Sequence, residues 1–530
     1  MRVGVLELLT GTRTTSIPQA IGNSLYTKQF ASIMPQAIAV WCRQLGHEVF
    51  YATWYGRGDP KKKLPDDLDI VFIAAYTQAS GLAYALAKVY RADGALTVLG
   101  GPHAKSFPTD SLRFFDLVVT QCDKTLIEDI LRGTFDKGAI ISSGRPLTDV
   151  PSVEERMPEI KASAFLGGRM RYLSTVVPLL SSTGCPYTCN FCTDWNNPYA
   201  LLPPSHLAED LRYLSHNLPG VKVAFHDPNF AVKFDQTLDV LEAMPGKKRN
   251  PYIMESSLSV LRGSRLERLR DTDCMYVAPG IESWSNYSNK AGVSAVTGGE
   301  KVRRVAEHLQ ELHEYVSGIQ VNLIFGLDTD EGNEPVELTK EFLTRTPFAW
   351  PVINIPVPFG ATPLYDDYYK NGRILTSMPF AYYYSPYLVT TLKGYDPVTY
   401  YRKLIEMSAH AATRGMFRKR FFATPSTPLR MFHTVRTLVA RQRIRAFQTI
   451  LDMLTSDPQF LKFHEGRSQV LPEFYHHQYE RSLGRYAQLI SRADRTPELA
   501  AQEDIVQHFG PVVNGVAAPE IRLDKKAASP

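Results

Sequence analysis

Short apolar runs alternate with amphipathic stretches in two separate series along this chain of 530 residues. From residue 2 to about 133, strand-like runs such as RVGVLEL, DIVFIAAYT and DLVVTQC are each followed by a helical pattern. This alternation predicts a parallel, doubly wound sheet, because parallel strands need crossover helices between them. Ligands of such sheets bind beyond the carboxyl ends of the strands. The candidate ligand loops of the first series are therefore TGTRTTSIPQ, YTQASG, GGPHAK and QCDK.

A second series begins near residue 175 and contains six strand-like runs separated by helical stretches such as EKVRRVAEHLQELHEYV. Six strand-helix units in series favour a partial, TIM-like (β/α)6 barrel that is open on one side. Tyr-rich turns and long helical patterns follow it, which is typical of an α-helical domain. The predicted fold class is α/β, with a Rossmann-like sheet, a partial barrel and a C-terminal helical domain. The predicted bounds are 1–135 for the first domain, 136–174 for a linker, 175–372 for the barrel, 373–515 for the helical domain and 516–530 for a disordered tail.

The overall composition excludes several classes of partner. A net charge of +5 is too dilute over this length to indicate nucleic-acid binding. The N-terminal MRVGVLELL reads as a buried strand and not as a signal peptide, and the uncharged stretch 70–87 is interrupted by polar and Gly residues, so no transmembrane segment is expected. Cys42, Cys122 and Cys274 stand singly, as buried free thiols do. We therefore expect a cytoplasmic protein.

Three further cysteines lie within STGCPYTCNFC, residues 182–192. Thiolates are soft ligands that select iron-sulfur clusters, zinc or cuprous ion. An iron-sulfur cubane is normally held by four cysteines, so a set of three leaves one iron free to bind another molecule. Zinc is the alternative, and it would need a fourth ligand such as His206 or His226, neither of which has conventional finger spacing.

The segment CPYTCNFC resembles the three-cysteine signature of radical S-adenosylmethionine (radical SAM) enzymes, including the aromatic Phe191 before the last cysteine. The resemblance implies that S-adenosylmethionine chelates the open iron of a 4Fe-4S cluster and is cleaved reductively to methionine and a 5′-deoxyadenosyl radical. The cluster ligands that it implies are Cys185, Cys189 and Cys192.

Further segments resemble other motifs of this family: FHDPNF at 225–230, GIESWS at 280–285 and LIFGLDTDE at 323–331. They imply contacts to S-adenosylmethionine from Phe191, Asp227, Glu282, Ser283 and Gly326. The common form of the first motif has two consecutive acids, whereas here Pro228 follows Asp227. Taken singly, a lone Glu is as well explained as a loop carboxylate, and Asp227 as a helix cap.

The first domain is similar to the cobalamin-binding domain that precedes the barrel in one large radical SAM subgroup. The similar segment is TVLGGPHAKSFPTD followed by FDLVVTQCDKTLIEDIL. The resemblance implies cobalamin contacts from Thr77, Gly100, Gly101, His103 and Gln121. No Asp-x-His-x-x-Gly segment occurs, so cobalamin is expected to bind without a protein histidine on cobalt. A domain that has lost its cofactor is the alternative.

Together these resemblances imply a cobalamin-dependent radical SAM enzyme of the class B methyltransferase type. Its expected reaction is methylation of an unactivated carbon in a small or lipid-like metabolite, with an external electron donor such as flavodoxin or ferredoxin. Radical cyclisation or rearrangement without net methyl transfer is one alternative, and a non-catalytic cluster- or corrinoid-binding protein is another. The Tyr-rich stretch 380–401 either closes the barrel over an apolar substrate or packs between domains. Arg436, Arg441, Arg443 and Arg445 either face anionic lipid or phosphate or form a solvated helix face.

Overall fold

A computed structural model of the chain describes residues 1–145, 147–170, 175–187, 189–195, 197, 199–288, 290–293, 296–424 and 426–500. Two six-stranded sheets organise these residues, and every strand pair within each sheet is parallel. The predicted α/β class with two parallel sheets is therefore confirmed.

The first sheet has the strand order β2-β1-β3-β4-β5-β6. Its order reverses beside β1, and such a switch point leaves a crevice at the carboxyl ends of the strands. Six of the seven residues of β1 are buried, as expected for a parallel strand covered on both faces. The strands are β1 (Arg2–Leu8), β2 (Glu48–Trp54), β3 (Ile70–Ala75), β4 (Leu96–Gly100), β5 (Leu117–Gln121) and β6 (Ala139–Ser142). The helices are α1 (Ile17–Leu25), α2 (Ile33–Gln44), α3 (Ser80–Ala92), α4 (Pro102–Ser106), α5 (Pro108–Leu112) and α6 (Lys124–Leu131).

The segment assigned to a linker, 136–174, instead contributes to the first domain. Strand β6 pairs with β5, and helix α7 (Met157–Ala164) packs against α2 through an ion pair between Arg43 and Glu159 at 2.5 Å. The apolar run of β6 is only Ala139 to Ile141, between Gly138 and Ser142, and Gly and Ser are typical of turns, which is why the boundary at residue 135 falls before β6.

The second sheet has the order β14-β13-β12-β11-β10-β7, so that β7 and β14 form its two edges. Its strands are β7 (Val176–Leu179), β10 (Lys222–Phe225), β11 (Tyr252–Ser257), β12 (Cys274–Glu282), β13 (Gly318–Ile324) and β14 (Trp350–Asn354). The helices between them are α8 (Pro204–Asn217), α9 (Phe234–Glu242), α10 (Ser264–Asp271), α11 (Gly298–Tyr315) and α12 (Glu334–Arg345). Their apolar faces pack onto one side of the sheet, around Leu211, Leu238 and Leu309.

A helical region follows the second sheet and binds the two sheets together. Its helices are α13 (Pro363–Lys370), α14 (Pro397–Ala411), α15 (Arg414–Ala423), α16 (Thr427–Ser456), α17 (Pro458–His464) and α18 (Glu473–Leu483). The Tyr-rich stretch lies in one core cluster with Leu82 and Phe107 of the first domain, so its tyrosines pack between domains. None of the helices within the described ranges has the length and apolar character needed to cross a membrane. The predicted tail, 516–530, lies outside the described residues.

Candidate functional site

The three clustered cysteines lie on a loop beyond the carboxyl end of β7. A short antiparallel pair, β8 (Ser182–Thr183) with β9 (Ala200–Leu201), closes the base of this segment, which we call the cysteine loop. Within it, the Cys192 N–H donates to the Cys189 carbonyl at 3.1 Å, and the Trp195 N–H donates to the Cys192 carbonyl at 2.9 Å. Cys185, Cys189 and Cys192 are all partly exposed free thiols. The fold thus presents three thiols at one end of the second sheet.

The donor set of the cysteine loop fits an iron-sulfur cubane. Three soft thiols on a non-helical loop can surround a cubane, whose ligands stand farther apart than those of a single ion. Across the described part of the chain, no three His, Cys, Asp or Glu side chains converge closely enough to hold one metal ion. Of the two histidines considered as a fourth zinc ligand, His206 has its Nε2 3.6 Å from the Asp210 carboxylate, and His226 lines the large cavity described below.

Asp227, at the end of β10, anchors the start of the cysteine loop. Its carboxylate accepts hydrogen bonds from the Ser181 N–H at 3.0 Å, the Ser181 hydroxyl at 2.6 Å and the Ser182 hydroxyl at 2.7 Å. Burial raises the pKa of Asp227, and the serine hydrogen bonds partly offset that effect. The side chain also lines the large cavity described below. The geometry therefore makes Asp227 a positioning residue for the cysteine loop.

Glu282, at the end of β12, lies beside the cysteine loop. Its Oε1 is 3.5 Å from the Lys290 Nζ, which in turn stands 5.3 Å from the centre of the Phe191 ring. Phe191 stacks on Tyr287 with the ring centres 5.8 Å apart. Burial raises the pKa of Glu282, and the neighbouring Lys290 opposes this. Glu282 also adopts a positive φ of 65° at a register shift between β12 and β13, a strained conformation that is common at functional sites.

Ser283 and Gly326 are held by their own local contacts. The Ser283 hydroxyl lies 2.9 Å from that of Ser285. Gly326 has a φ of 102°, and its N–H donates to the Asp330 carboxylate at 2.9 Å. A Cβ at Gly326 would lie 2.7 Å from Cε2 of Tyr400, so the space beside this glycine is filled by the helical region. The sequence did not predict this packing. The contact with Tyr400 accounts for glycine at position 326, and no bound ligand is needed to explain it.

Three of the five residues predicted to bind cobalamin line the large cavity. These are Gly100, Gly101 and Gln121, at the carboxyl ends of β4 and β5. A Cβ on Gly100 would meet no atom within 4 Å, so the backbone there is open to an approaching group. Gly101 has a φ of 88°, and a Cβ on it would lie 3.1 Å from the Ala75 nitrogen. This edge of the first sheet therefore fits a bulky planar ligand.

The other two predicted residues, Thr77 and His103, are buried and are not among the residues that line the cavity. His103 is the second residue of the short helix α4, which turns its ring into the core. There its Nε2 lies 2.6 Å from the Tyr84 hydroxyl, which donates to Asp110 at 2.6 Å. Burial lowers the pKa of His103 to about 3, so the ring is neutral at physiological pH. His103 therefore has a structural role in this geometry.

One cavity of about 2060 Å³ joins the carboxyl ends of both sheets. From the first sheet it is lined by Gly100 and Gln121, and from the cysteine loop by Thr193, Asp194 and Asn197. Pockets that hold a single small ligand usually measure about 300–1,000 Å³. The cavity is thus large enough for more than one ligand at a time.

Direct hydrogen bonds connect the first domain to the cysteine loop across this cavity. The Lys105 Nζ donates to the Thr193 carbonyl and to Oδ1 of Asn197, both at 2.6 Å, and Gln121 donates to the same Asn197 oxygen at 3.2 Å. Sequence reasoning missed Lys105 and Asn197 as site residues. The only signal for Lys105 was its position in the loop GGPHAK.

Two acids that sequence reasoning also missed line the cavity. Glu7, on β1, accepts the Ser32 N–H at 2.8 Å, and burial raises the pKa of its carboxyl to about 7. Glu255, on β11, is exposed at the cavity surface, and desolvation by the surrounding protein walls raises its pKa. Glu7 lies in the apolar strand RVGVLEL, and Glu255 lies in PYIMESSL. Burying an acid in an apolar strand is costly, so its presence there is the sequence signal for a polar group directed at a ligand.

Comparison with known proteins finds a family match for the segment that contains the cysteine loop. Residues 179–342 match the family described as the Radical SAM superfamily. The chain is 22% identical to bacteriochlorophyllide d C-8(2)-methyltransferase from Chlorobaculum tepidum over 72% of this chain and 85% of that protein. It is 26% identical to hopanoid C-2 methylase from Rhodopseudomonas palustris over 41% of this chain and 40% of that protein.

A solved structure shares the fold. It is that of the radical S-adenosylmethionine methyltransferase TsrM from Kitasatospora setae with its tryptophan substrate and an S-adenosylmethionine analogue bound. The TM-score is 0.50 at 15% sequence identity, and the likeness covers 72% of this chain and 77% of that one. The matched residues, 179–342, begin at the end of β7 and include the whole cysteine loop. Residues 179–342 of this chain therefore form a radical SAM domain.

Proposed function

We propose that this enzyme methylates an unactivated carbon of an apolar or amphiphilic substrate, using a 4Fe-4S cluster, S-adenosylmethionine and cobalamin. The observation that carries the proposal is the single cavity into which both the cysteine loop and the carboxyl ends of the first sheet open. Methyl transfer to a carbon radical requires that the methyl donor and the radical centre share one enclosed space.

The residues present fit this set of cofactors. Cys185, Cys189 and Cys192 would hold the cluster, while Gly100, Gly101 and Gln121 would contact the corrinoid. When bound, the cluster would supply the electron that cleaves S-adenosylmethionine to a hydrogen-abstracting radical, and the corrinoid would carry the methyl group. No protein histidine is assigned to cobalt, because His103 is committed to Tyr84 in the core.

The chain's own residues would orient these groups and exclude water. Asp227 holds the start of the cysteine loop, and Lys105 holds its far side against the first domain. We propose that Glu282 and Ser283 bind S-adenosylmethionine, with Lys290 fixing the Glu282 carboxylate. Phe191 would form an apolar wall beside the cluster. Gly326 is proposed to act by letting the backbone after β13 turn tightly beneath the site.

An apolar or amphiphilic substrate is supported by the walls of the cavity and by the relatives. Val5, Phe72 and Val98 of the first sheet line it, together with the aliphatic side chains of α16. Two relatives are named for methylation of bacteriochlorophyllide d and of a hopanoid, which are large apolar or amphiphilic molecules. The cavity walls and the relatives together support this class of substrate and do not identify the substrate itself.

The electron donor proposed is a flavodoxin or ferredoxin, since a 4Fe-4S cluster takes single electrons at low potential. Such donors and reduced thiols occur together in the cytoplasm, where we propose that the enzyme acts. All six cysteines are free thiols, which agrees with a reducing compartment.

The products of S-adenosylmethionine test the proposed reaction. After anaerobic reconstitution with iron, sulfide and hydroxocobalamin, the enzyme is supplied with a reductant and S-adenosylmethionine, and the products are quantified with and without lipid extracts. Formation of S-adenosylhomocysteine together with 5′-deoxyadenosine would support methylation. Formation of 5′-deoxyadenosine alone would instead favour rearrangement, and the absence of both would favour a non-catalytic carrier.

A triple variant without cluster ligands tests the role of the cysteines: Cys185→Ala, Cys189→Ala, Cys192→Ala. Its rate of reductant-dependent S-adenosylmethionine cleavage should be at least 100-fold lower than that of the parent. Cys42→Ala removes a buried thiol that is not among the residues lining the cavity, and it is the matched control. Cleavage by the triple variant at the rate of the Cys42→Ala variant would contradict the assignment of the cluster ligands.

A further inference from the structure

Two segments at the mouth of the cavity expose large apolar side chains to solvent. Ile17 is 77% exposed, Phe30 is 62%, Met431 is 67% and Leu438 is 59%. Contiguous exposed apolar surface of this kind marks a binding surface and not an ordinary soluble face. We call this surface the rim patch, and it consists of Ile17, Ile21, Tyr26, Phe30, Met431, Val435, Leu438 and Val439.

The two halves of the rim patch lie side by side and continue into the cavity. Helix α1 approaches α16 where the Tyr26 ring lies 5.8 Å from the Phe432 ring. Tyr26, Phe30, Met431 and Val435 are exposed to solvent and also line the cavity. Ile17, Ile21 and Leu438 are not among the lining residues. An apolar path therefore leads from the outer surface to the site.

Helix α16 buries Phe447, Ile450 and Leu454 in its C-terminal half, but its N-terminal half is turned opposite to an ordinary surface helix. It buries His433 and Thr437 while Met431, Leu438 and Val439 face solvent. The inward direction is fixed by Arg436 Nη1, which donates to the Tyr276 hydroxyl at 2.7 Å, and by Arg443, which donates to the Ile353 carbonyl at 2.7 Å. These arginines hold the aliphatic side of α16 outward. A helix that exposes its aliphatic side chains needs a further apolar surface to cover them.

The two chain segments that carry the rim patch contain basic residues and no acidic ones. Residues 407–451 contain nine Arg and Lys residues and no Asp or Glu, and residues 8–47 contain no Asp or Glu either. Five of the nine are exposed: Arg414, Arg418, Lys419, Arg441 and Arg445. Apolar residues flanked by cations, without acids, are typical of surfaces that lie on anionic lipid headgroups. The same positive charge would repel a second copy of this patch.

We propose that the rim patch docks the enzyme onto an anionic lipid bilayer, so that an amphiphilic substrate passes from the membrane into the cavity. The docking is inferred from the rim patch alone, whereas the entry of the substrate from the membrane rests on the proposed function. The attachment that we propose is peripheral, through the interfacial region of the bilayer. The aliphatic side chains enter the interfacial region, and the exposed arginines contact lipid phosphates.

Co-sedimentation of the full chain with vesicles tests the docking without any cofactor. One set of vesicles is pure phosphatidylcholine, and the other contains about one third phosphatidylglycerol. We expect binding to the anionic vesicles to exceed that to the neutral ones at least tenfold and to weaken as salt is raised. Leu438→Glu should lower the partition coefficient about tenfold, since it places a charge in the apolar contact.

Val470→Glu is the matched control, because Val470 is 73% exposed in the turn before α18 and outside the rim patch. Arg441→Gln should lower binding about fivefold on anionic vesicles only. Absence of binding to anionic vesicles, or equal binding by Leu438→Glu and Val470→Glu, would overturn the proposal. The proposal would also be overturned if the parent protein were a dimer in solution and Leu438→Glu dissociated it, because the rim patch would then be a homodimer interface. Methylation of a detergent-dispersed substrate is measured separately, so either proposal can fail alone.

Discussion

A single buried carboxylate fixes the start of the cysteine loop. Asp227 accepts three hydrogen bonds from Ser181 and Ser182, and it does so from the strand next to β7. The sequence predicted Asp227 as a site residue but not this role, because the bonded serines lie 46 and 45 positions away along the chain. Long-range pairing of this kind depends on strand order, which residue pattern alone does not specify.

Asp227→Asn should lower the free energy of unfolding by about 1–3 kcal/mol, since one oxygen becomes an NH₂ group that cannot accept the bonds it replaces. We also expect less iron to be retained after reconstitution. Asp239→Asn, at an exposed surface ion pair with Arg268, is the control and should cost under about 0.5 kcal/mol. Equal stability and iron content in the two variants would argue against the positioning role.

Glu7 makes stability depend on pH in a definite direction. Burial raises the pKa of its carboxyl from 4.5 to about 7, so the folded chain keeps a proton that the unfolded chain releases between these values. The contribution of Glu7 to the free energy of unfolding therefore falls as pH rises from 4.5 to 7 and is constant above that. Glu7→Gln keeps an acceptor for the Ser32 N–H. Its free energy of unfolding at pH 8 should therefore exceed that of the parent by up to about 3 kcal/mol.

The same Glu7→Gln variant should come within about 0.5 kcal/mol of the parent at pH 4.5, where Glu7 is protonated in the folded chain and half protonated in the unfolded chain. Denaturant unfolding at the two pH values measures the difference. A stability difference that is the same at pH 4.5 and pH 8 would show that charge at Glu7 is not its cause.

At the scale of elements, the sequence predicted most of the strands, because buried parallel strands appear as short apolar runs between helical patterns. Strand β6 was missed because its apolar run, Ala139 to Ile141, is flanked by Gly138 and Ser142, which are typical of turns. The direction of His103 was not predictable, since α4 is a five-residue helix whose orientation is set by Tyr84 and Phe380 from distant parts of the chain. Local pattern specifies an element but not which way its side chains face.

The turn after β13 depends on the contact between Gly326 and Tyr400. Tyr400 is fully buried, and its hydroxyl donates to the Phe325 carbonyl at 2.8 Å, so its ring cannot move aside. Gly326→Ala should therefore lower the thermal unfolding temperature clearly more than Gly332→Ala does. Gly332 also has a positive φ, of 60°, but open space around its Cβ position, so it isolates the backbone cost of about 1–2 kcal/mol. Equal shifts would show that the Tyr400 contact is not limiting.

At the scale of the whole molecule, the two sheets are held at a fixed separation. Besides Lys105, a close contact joins Gly360, after β14, to the Ser106 carbonyl at the end of α4. The tyrosines of the helical region fill the space behind this contact, and the Tyr382 hydroxyl donates to the Tyr475 carbonyl at 2.5 Å. The cavity is therefore a property of the assembled domains and not of either one.

A Cβ at Gly360 would lie 1.7 Å from the Ser106 oxygen, so Gly360→Ala should separate the domains. We expect faster limited proteolysis and lower retention of corrinoid, with the iron content unchanged. Gly415→Ala is the control, because a Cβ there would meet no atom within 4 Å. Proteolysis at the same rate in both variants would contradict the proposed rigidity of the interface.

The central claim is that one cavity serves both cofactors, and the content of the reconstituted protein tests it most directly. The enzyme is reconstituted anaerobically with iron and sulfide, mixed with hydroxocobalamin and desalted, and iron, sulfide and corrinoid are quantified per chain. We predict about four iron and about one corrinoid. About four iron with no corrinoid would contradict the account, because the first sheet would then serve another ligand and the proposed methyl transfer would have no carrier.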